Sequence, residues 1–375
     1  MRILIFNWQD IKNPLAGGAE VHLHEVFSRI AGLGHEVTLY CSSFPGAPPE
    51  EMMKGLRVIR QGGRNFFNYR VAFAYLSRFR SEPFDIVIDD MNKIPFFTPL
   101  YVDKPLYGVT HHLFGKSIFK EANVVAAMYV YLTELAAVAL YRRRKIPFIV
   151  GSPSTAEELE AKGFPPENVT VINYAVDHDL HKRTGIPKHP TPLIGYFGRL
   201  KKYKSVDHLL RALPEVLKRV PNLKLLIVGD GDDRGRLNAL AEQLGVSGAV
   251  EFTGFVSEEK KVALLQSMWF KVTTSSKEGW GLTVLEANAC GTTVLASDVP
   301  GLRDAVKDGE TGLLYPYGDI NELARKIVYL VEQPAIRDRL TSGALAWAAS
   351  FRWDTAAERT IALLQARLTR GNKQS

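Results

Sequence analysis

Residues Ser275–Val306 read SSKEGWGLTVLEANACGTTVLASDVPGLRDAV. An apolar run, Phe270–Thr274, ends just before them. Glycines then break the chain at 279 and 281, a helical pattern opens near Leu282, and a second strand-like run follows at Thr293–Ser297. Strand, turn, helix, strand is the unit of a parallel sheet covered by helices. Outward from this stretch the same alternation continues. Further strands are expected at Leu193–Phe197, Leu223–Val228, Val250–Thr253 and Gly312–Tyr315. In the first half they are expected at Ile3–Phe6, Glu36–Tyr40, Ile86–Ile88, Leu106–Thr110, Phe148–Gly151 and Val169–Ile172. Helical patterns fall between, among them Ala19–Leu33 and Thr155–Lys162, the latter with Ser154 or Thr155 as cap before Glu157 and Glu158. The segment Asp177–Pro192, DHDLHKRTGIPKHPTP, breaks the alternation with His, Pro and charge.

The expected class is therefore α/β, with two Rossmann-like doubly wound domains facing a central cleft. Residues 1–176 form an N-terminal domain, 177–192 a linker and 193–353 a C-terminal domain. The last segment, 354–375, is a helix that crosses back to the first domain. The tail Gly371–Ser375 is expected to lack fixed structure. In such domains ligands sit outside the carboxyl ends of the strands, so chemistry is sought just after each strand.

Bulk composition agrees. The chain has 375 residues, enough for two cores, and 46% of them are hydrophobic. Its 47 basic and 40 acidic residues leave a modest +7. Cys41 and Cys290 stand far apart with no metal-ligand spacing, which argues against a disulfide framework or zinc site and for a reducing, cytosolic setting. The apolar run Ile3–Phe6 is too short for a signal-peptide core. Val124–Tyr141 is apolar except for Thr133 and Glu134 and is followed by Arg142–Lys145. It only reaches the minimum of ~18 residues for a bilayer span and carries a charge in its middle, so a buried or interfacial helix is expected.

Two strand ends carry candidate chemistry. Glu278 lies before the helix that opens at Leu282 and Glu286 lies inside it, with Gly279, Trp280 and Gly281 between. Free backbone amides at a positive helix end suit a diphosphate, and flanking carboxylates suit hydroxyls of a sugar and a ribose. After the strand Leu193–Phe197 comes GRLKKYKS, Gly198–Ser205, which places Arg199 and Lys204 where cations can hold a pyrophosphate. Bland readings compete: acidic residues favour any helix N-terminus, and Lys201 and Lys202 read as a solvated basic loop.

With these residues in place the chain resembles the retaining glycosyltransferases of family 4, which have the GT-B fold, over nearly its whole length. The most specific part is the Glu278–Glu286 pair inside EGWGLTVLEANACGTTVLASDVPG. Members usually carry Phe where Trp280 stands, and a Gly is common where Ser205 stands. The resemblance puts the phosphate-binding cations on Arg199 and Lys204, the base contact near Val256 in EFTGFVS, and a strand and turn beneath the nucleotide on LLIVGDGDDRGRL, Leu225–Leu237. It makes Gly17 and Gly18 of GGAE a diphosphate-binding loop at the start of a helix. The donor-site histidine falls on His111, with His112 the competing assignment.

What the resemblance implies is transfer of a glycosyl group from a nucleotide-sugar, UDP- or GDP-linked, to a hydroxyl acceptor with retention and without a metal or other cofactor. His111 and Glu278 would hold the donor sugar. Backbone or side chains of Val256, Gly279, Trp280, Gly281, Leu282 and Glu286 would hold the rest of the donor, while Arg199 and Lys204 would stabilise the leaving diphosphate. Asp230 and Asp232 of GDGD form a D-x-D, which after this strand reads as a turn rather than a metal site.

The acceptor is less marked. Met52–Ser81 contains no Asp or Glu, yet interleaves Lys54, Arg57, Arg60, Arg64, Arg70, Arg78 and Arg80 with Phe66, Phe67, Tyr69, Phe73, Tyr75 and Phe79. That pattern suits an anionic membrane surface and a lipid-linked or polysaccharide acceptor; a solvated basic face over core aromatics is the bland alternative. The expected location is cytoplasmic, peripheral on the inner face of the membrane. No nucleic-acid module is recognisable. Three rivals remain. A sugar-nucleotide 2-epimerase of GT-B fold would lack this spacing of two glutamates. A nicotinamide dehydrogenase would show G-x-G-x-x-G after the first strand, where this chain reads NWQDIKNPLAGGAE. A dead binding protein would not keep Glu278, Glu286, Arg199 and Lys204.

Overall fold

In the computed structural model, which describes residues 1–91, 94–120 and 123–371, the apolar runs become two sheets. The first contains β1 (Arg2–Phe6), β2 (Glu36–Cys41), β3 (Glu50–Met53), β4 (Leu56–Arg60), β5 (Ile86–Asp90), β6 (Leu106–Thr110), β7 (Phe148–Val150) and β8 (Val169–Val171). Their order across the sheet is β3-β4-β2-β1-β5-β6-β7-β8, all parallel except the β3–β4 hairpin. Ile3, Leu4, Ile5 and Phe6 are fully buried. A strand covered on both faces reads as a continuous apolar run rather than an alternating one. Helices α1 (Gly18–Gly32), α2 (Phe67–Ala74, continued by a π turn at Tyr75–Phe79), α3 (Val124–Arg143) and α4 (Pro153–Ala161) accompany these strands. The cap of α4 is Ser152, whose hydroxyl accepts from the Thr155 amide, and not Ser154 or Thr155 as expected. Pro153, fixed at a helical φ, takes the first turn and moves the helix start upstream.

The hairpin β3–β4 is absent from the sequence reading, because its strands are short and charged. It is pinned by charge instead. The Arg60 guanidinium is fully buried and donates through Nε to Oδ2 of the equally buried Asp10 at 2.6 Å, with Glu51 3.1 Å away. Burial works against the Asp10 carboxylate, yet Arg60 and the Lys12 amide hold its pKa below the usual range.

The second sheet contains β9 (Leu193–Phe197), β10 (Lys224–Val228), β11 (Val250–Gly254), β12 (Phe270–Thr273), β13 (Val294–Ser297) and β14 (Gly312–Tyr315). Its order is β11-β10-β9-β12-β13-β14, with every pairing parallel. Starting at β9 the chain builds outward through β10 and β11, then returns to the other side of β9 with β12. The reversal opens a crevice at the carboxyl ends of β9 and β12, the position where doubly wound sheets take ligands. Helices α5 (Val206–Arg219), α6 (Arg234–Gln243), α7 (Glu258–Ser267), α8 (Leu282–Ala289), α9 (Leu302–Ala305), α10 (Ile320–Glu332) and α11 (Pro334–Ala349) cover it. Leu209 and Leu213 of α5 pack with Ile327 and Leu330 of α10 against one face. Val284 and Ala287 of α8 pack with Val294 and Ala296 against the other.

Two compact units result: Met1–Tyr174 joined by α12 (Trp353–Gly371), and Ala175–Arg352. Helix α12 is fastened to the first unit by Asp354, which accepts from Arg29 Nε at 2.7 Å, and by Arg359, which donates to the Val171 carbonyl at 2.9 Å. The helix includes Gly371, and the remainder of the tail expected to be disordered, residues 372–375, lies outside the described residues. The stretch expected as a free linker, Asp177–Pro192, is a strap on the second unit. Thr184 bonds Gln266, Lys188 Nζ donates to the Gly291 carbonyl at 3.0 Å, and the His189 amide donates to the Ser267 carbonyl at 2.8 Å. Its Pro-rich backbone makes no ladder, so its composition resembles a linker although side chains hold it down.

Replacing Arg60 by Met should leave the Asp10 carboxylate buried and unpaired, at a cost of about 3–5 kcal/mol in denaturant unfolding. Because Asp10 has a depressed folded pKa, the wild-type contribution is present above its unfolded pKa and is lost as pH falls through the folded value. The Arg60→Met variant should lack that acid-side loss.

Candidate functional site

The crevice of the second unit is built by loops that follow β9, β12 and β13. Tyr203 and Lys204 sit on a short 3-10 turn after β9, and Ser205 follows with φ +50° as the cap of α5. A left-handed residue at this point favours glycine, which gives the Ser205 substitution a physical meaning: a modest backbone strain. The loop after β12 is stitched to this turn. The Ser276 amide donates to the Tyr203 carbonyl at 2.8 Å, and Thr274 Oγ1 donates to the Lys204 carbonyl at 2.9 Å. From β13, Ser297 Oγ donates to the Ser275 carbonyl at 2.6 Å.

This stitching brings Lys204 and Glu278 together. Lys204 Nζ donates to Glu278 Oε1, which also accepts from Ser275 Oγ at 2.6 Å. Both side chains are largely buried. Burial opposes each charge, but each partner outweighs it: the Lys204 pKa is raised and that of Glu278 lowered. Behind them, fully buried Lys271 of β12 donates to Thr273 Oγ1. Burial drives its pKa down to about 7 against the pull of Glu278 and Glu286.

Gly279, Trp280 and Gly281 lead into α8, and Gly281 (φ +90°) caps the helix whose first residue is Leu282. The amides of the helix start therefore open beside Glu278, as the sequence implied. Glu286, one turn in, lies 2.9 Å from Lys261 Nζ and 3.9 Å from His181 Nε2. Lys261 and His181 were not anticipated. They sit on α7 and on the strap, and no local spacing connects either to Glu286. Trp280 is buried against Phe351, so its ring is a packing group and its backbone is the part at the helix start. Arg199 is exposed on the loop after β9, and Val256 lies between β11 and α7 with its side chain against the core. The D-x-D carboxylates are matched locally: Asp232 pairs with Lys201 at 2.7 Å and Asp230 with Arg234 at 3.2 Å. Among the described residues no three His, Cys, Asp or Glu side chains group in a way that could hold a metal ion.

The remaining expected residues belong to the first unit. Gly17 caps α1 and Gly18 is its first residue, but the Gly17 amide already donates to Glu20 Oε2 at 2.7 Å. A carboxylate of the chain thus occupies the donor expected for a diphosphate. His111, 5% exposed, is also engaged: Nδ1 meets the Tyr174 hydroxyl and Nε2 lies 3.0 Å from Asp90 Oδ1. Burial lowers its pKa, but Asp90, with Glu20 beyond it, raises it more. His22 stacks on Tyr174 and is buried with no hydrogen-bond partner for either nitrogen among the described residues, so burial, reinforced by His111, pushes its pKa well down. His111, the residue expected to meet the donor sugar, thus stands between Tyr174 and Asp90 in this structure. The neighbouring His112 is only half-buried, beside Phe114.

Comparison with known proteins identifies the family. The model of the glycosyl transferases group 1 family matches residues 177–347, and that of Glycosyltransferase Family 4 matches residues 16–180. The chain belongs to glycosyltransferase family 4. Among its relatives, a D-inositol 3-phosphate glycosyltransferase of Corynebacterium aurimucosum is 32% identical over 54% of this chain and 52% of its own. The chain spans about half the length of the curated relatives it matches. Sucrose-phosphate synthase from Thermosynechococcus elongatus superimposes with a TM-score of 0.84 at 22% identity, covering 98% of this chain and 99% of the other. Anabaena HepE in complex with UDP-glucose gives 0.75 at 19% identity, covering 98% and 100%. Family 4 members of this shape have the GT-B fold, and the two Rossmann-like units here are that fold.

Gly301 is a site residue that family spacing did not single out. It has φ +81°, and a Cβ placed on it would lie 2.3 Å from the Glu278 carbonyl oxygen. Gly301→Ala should displace the Glu278 loop, strain its own backbone and weaken nucleoside diphosphate binding by about tenfold or more, measured by calorimetry. Gly248→Ala, with open space around it, should change nothing.

Proposed function

We propose that the chain transfers a glycosyl group from a UDP- or GDP-sugar to a hydroxyl acceptor, with retention of configuration and without a metal. One observation carries this reading: a buried cation and carboxylate, Lys204 and Glu278, paired beside a helix start in the β9–β12 crevice. A diphosphate arriving there can take Lys204 from Glu278, with Arg199 and the α8 amides completing the anion site. Glu278, relieved of the lysine, can accept hydrogen bonds from donor-sugar hydroxyls. Glu286, held by Lys261, can accept from a ribose diol. The glycosyltransferase name of the curated relatives supports glycosyl transfer, and the UDP-glucose bound to the Anabaena protein supports a UDP-sugar as first candidate.

On the acceptor side, His112 supplies a hydrogen bond to the donor sugar, and His111 is a positioning residue fixed by Asp90 and Tyr174. Retention follows a same-face course in which the leaving phosphate oxygen takes the acceptor proton. Such a course needs no carboxylate nucleophile, unlike the paired carboxyls of retaining glycosidases. Cationic side chains and helix-end amides stabilise the leaving diphosphate in place of a metal. The acceptor is lipid-linked or a polysaccharide, reached from the cytoplasm at an anionic membrane.

Thermal unfolding in the presence of chelator, with UDP, GDP, ADP, their sugars and NAD, tests the donor site. The matching nucleotide at 100 times its dissociation constant should add about 2.7 kcal/mol. Glu286→Ala should shrink that shift. Stabilisation by NAD alone, or by none, would remove the reading. For the histidines, His112→Ala should weaken UDP-glucose but not UDP, because only the sugar contact is lost. Equal loss of both ligands would place His112 elsewhere.

A further inference from the structure

The segment Met52–Ser81 divides when folded. Arg60, Arg57 and Lys54 are taken up in ion pairs with Asp10, Glu50 and Glu25, while Phe67, Tyr75 and Phe79 enter the core. What remains outside is a stripe. Phe66 is 76% exposed, Tyr69 61%, Phe73 69% and Leu76 53%. Their spacing of three and four residues puts them on one side of α2 and its π turn, opposite the buried Phe67, Val71, Tyr75 and Phe79. Arg64 and Arg70 are exposed beside them.

Helix α3 repeats the arrangement. It is long and apolar enough to cross a membrane by composition, yet only 28% of its most apolar stretch is buried. Ala127, Glu134, Ala137, Val138 and Tyr141 face inward. Val125 is 81% exposed, Met128 44% and Leu132 54%. The two outward stripes adjoin: Tyr69 Oη of α2 lies 3.3 Å from Tyr129 Oη of α3. The inward side of α3 reaches the loop after His112, because Glu134 accepts from the amides of Phe114 at 2.6 Å and Gly115 at 2.7 Å. A spanning helix could not keep this buried carboxylate and its neighbours on the core, so α3 is a surface helix with an uncovered apolar side.

We propose that the joined outward faces of α2 and α3 insert side-on into the interfacial layer of an anionic bilayer. The occupant is set by charge. Aromatic and aliphatic side chains flanked by Arg64 and Arg70, with Lys116 exposed on the turn before α3, match acyl chains beneath anionic headgroups. This deepens the proposed membrane partner, naming the surface that meets it and linking that surface through Glu134 to the loop after His112.

The test is flotation of the full-length protein with vesicles of phosphatidylcholine alone or mixed with phosphatidylglycerol. Binding is expected only to the anionic vesicles, weaker at high salt. Phe66→Ser with Phe73→Ser should reduce it about tenfold, and so should Arg64→Glu with Arg70→Glu. Nucleotide-induced thermal stabilisation, whose site is on the other unit, should be unchanged in both variants; this confirms folding and separates the outcome from failure of the donor reading. Wild type that stays unbound at low salt overturns the proposal, as do apolar-stripe variants that bind as well as wild type. So does a lipid-free dimer in sedimentation that the same substitutions dissolve, which would make a second copy the occupant.

Discussion

A lysine and a glutamate cannot both be buried at the end of a sheet unless each is the reason the other is tolerated. Lys204 and Glu278 satisfy that condition only because β9 and β12 are neighbours, and they are neighbours because the strand order reverses there. The rest of the second unit serves this constraint. Ser276, Thr274 and Ser297 tie three loops together, Gly301 makes room for the Glu278 backbone, and Ser205 accepts a left-handed conformation so that α5 can start where it does. An ion pair of this kind is a weak source of stability. In the proposed function the pair is exchangeable: a diphosphate would compete for Lys204, while Lys271, whose charged form burial disfavours, stays bonded to Thr273.

The first unit has a different division of labour. Its charged residues fasten the elements, with Arg60 on Asp10 holding a hairpin and Glu134 holding the loop after His112. The aromatic cluster of His22, His111, Tyr174 and Trp353 is buried, with Asp90 beside His111. The unit's outer surface carries the apolar stripes of α2 and α3, which are exposed among the described residues.

Legibility in the sequence followed the range of the forces involved. Strands buried on both faces announce themselves as apolar runs, so all six strands of the second sheet were placed, and only β3 and β4 were missed in the first. Those two depend on Arg60 meeting Asp10 fifty residues away, which no local pattern contains. The positions of Lys204 and Glu278 at strand ends, and of Glu286 in the helix that follows, were legible for the same local reason. Lys261 and His181 beside Glu286 were not, since each arrives from a separate element. That the fold buries His111 and leaves His112 half-buried was not legible either. Basic and aromatic residues of Met52–Ser81 stood out in the sequence, but only folding sorted core from surface and joined the surface part to α3.

The central claim is that Lys204 serves the diphosphate rather than merely neutralising Glu278. Calorimetry of Lys204→Met with UDP and with uridine, or the guanosine pair if GDP proves to be the ligand, separates the two roles. The account predicts that the diphosphate loses at least about a hundredfold in affinity, while the nucleoside, which lacks phosphates, binds as in wild type. Equal weakening of both, or no weakening of either in a folded protein, would contradict it.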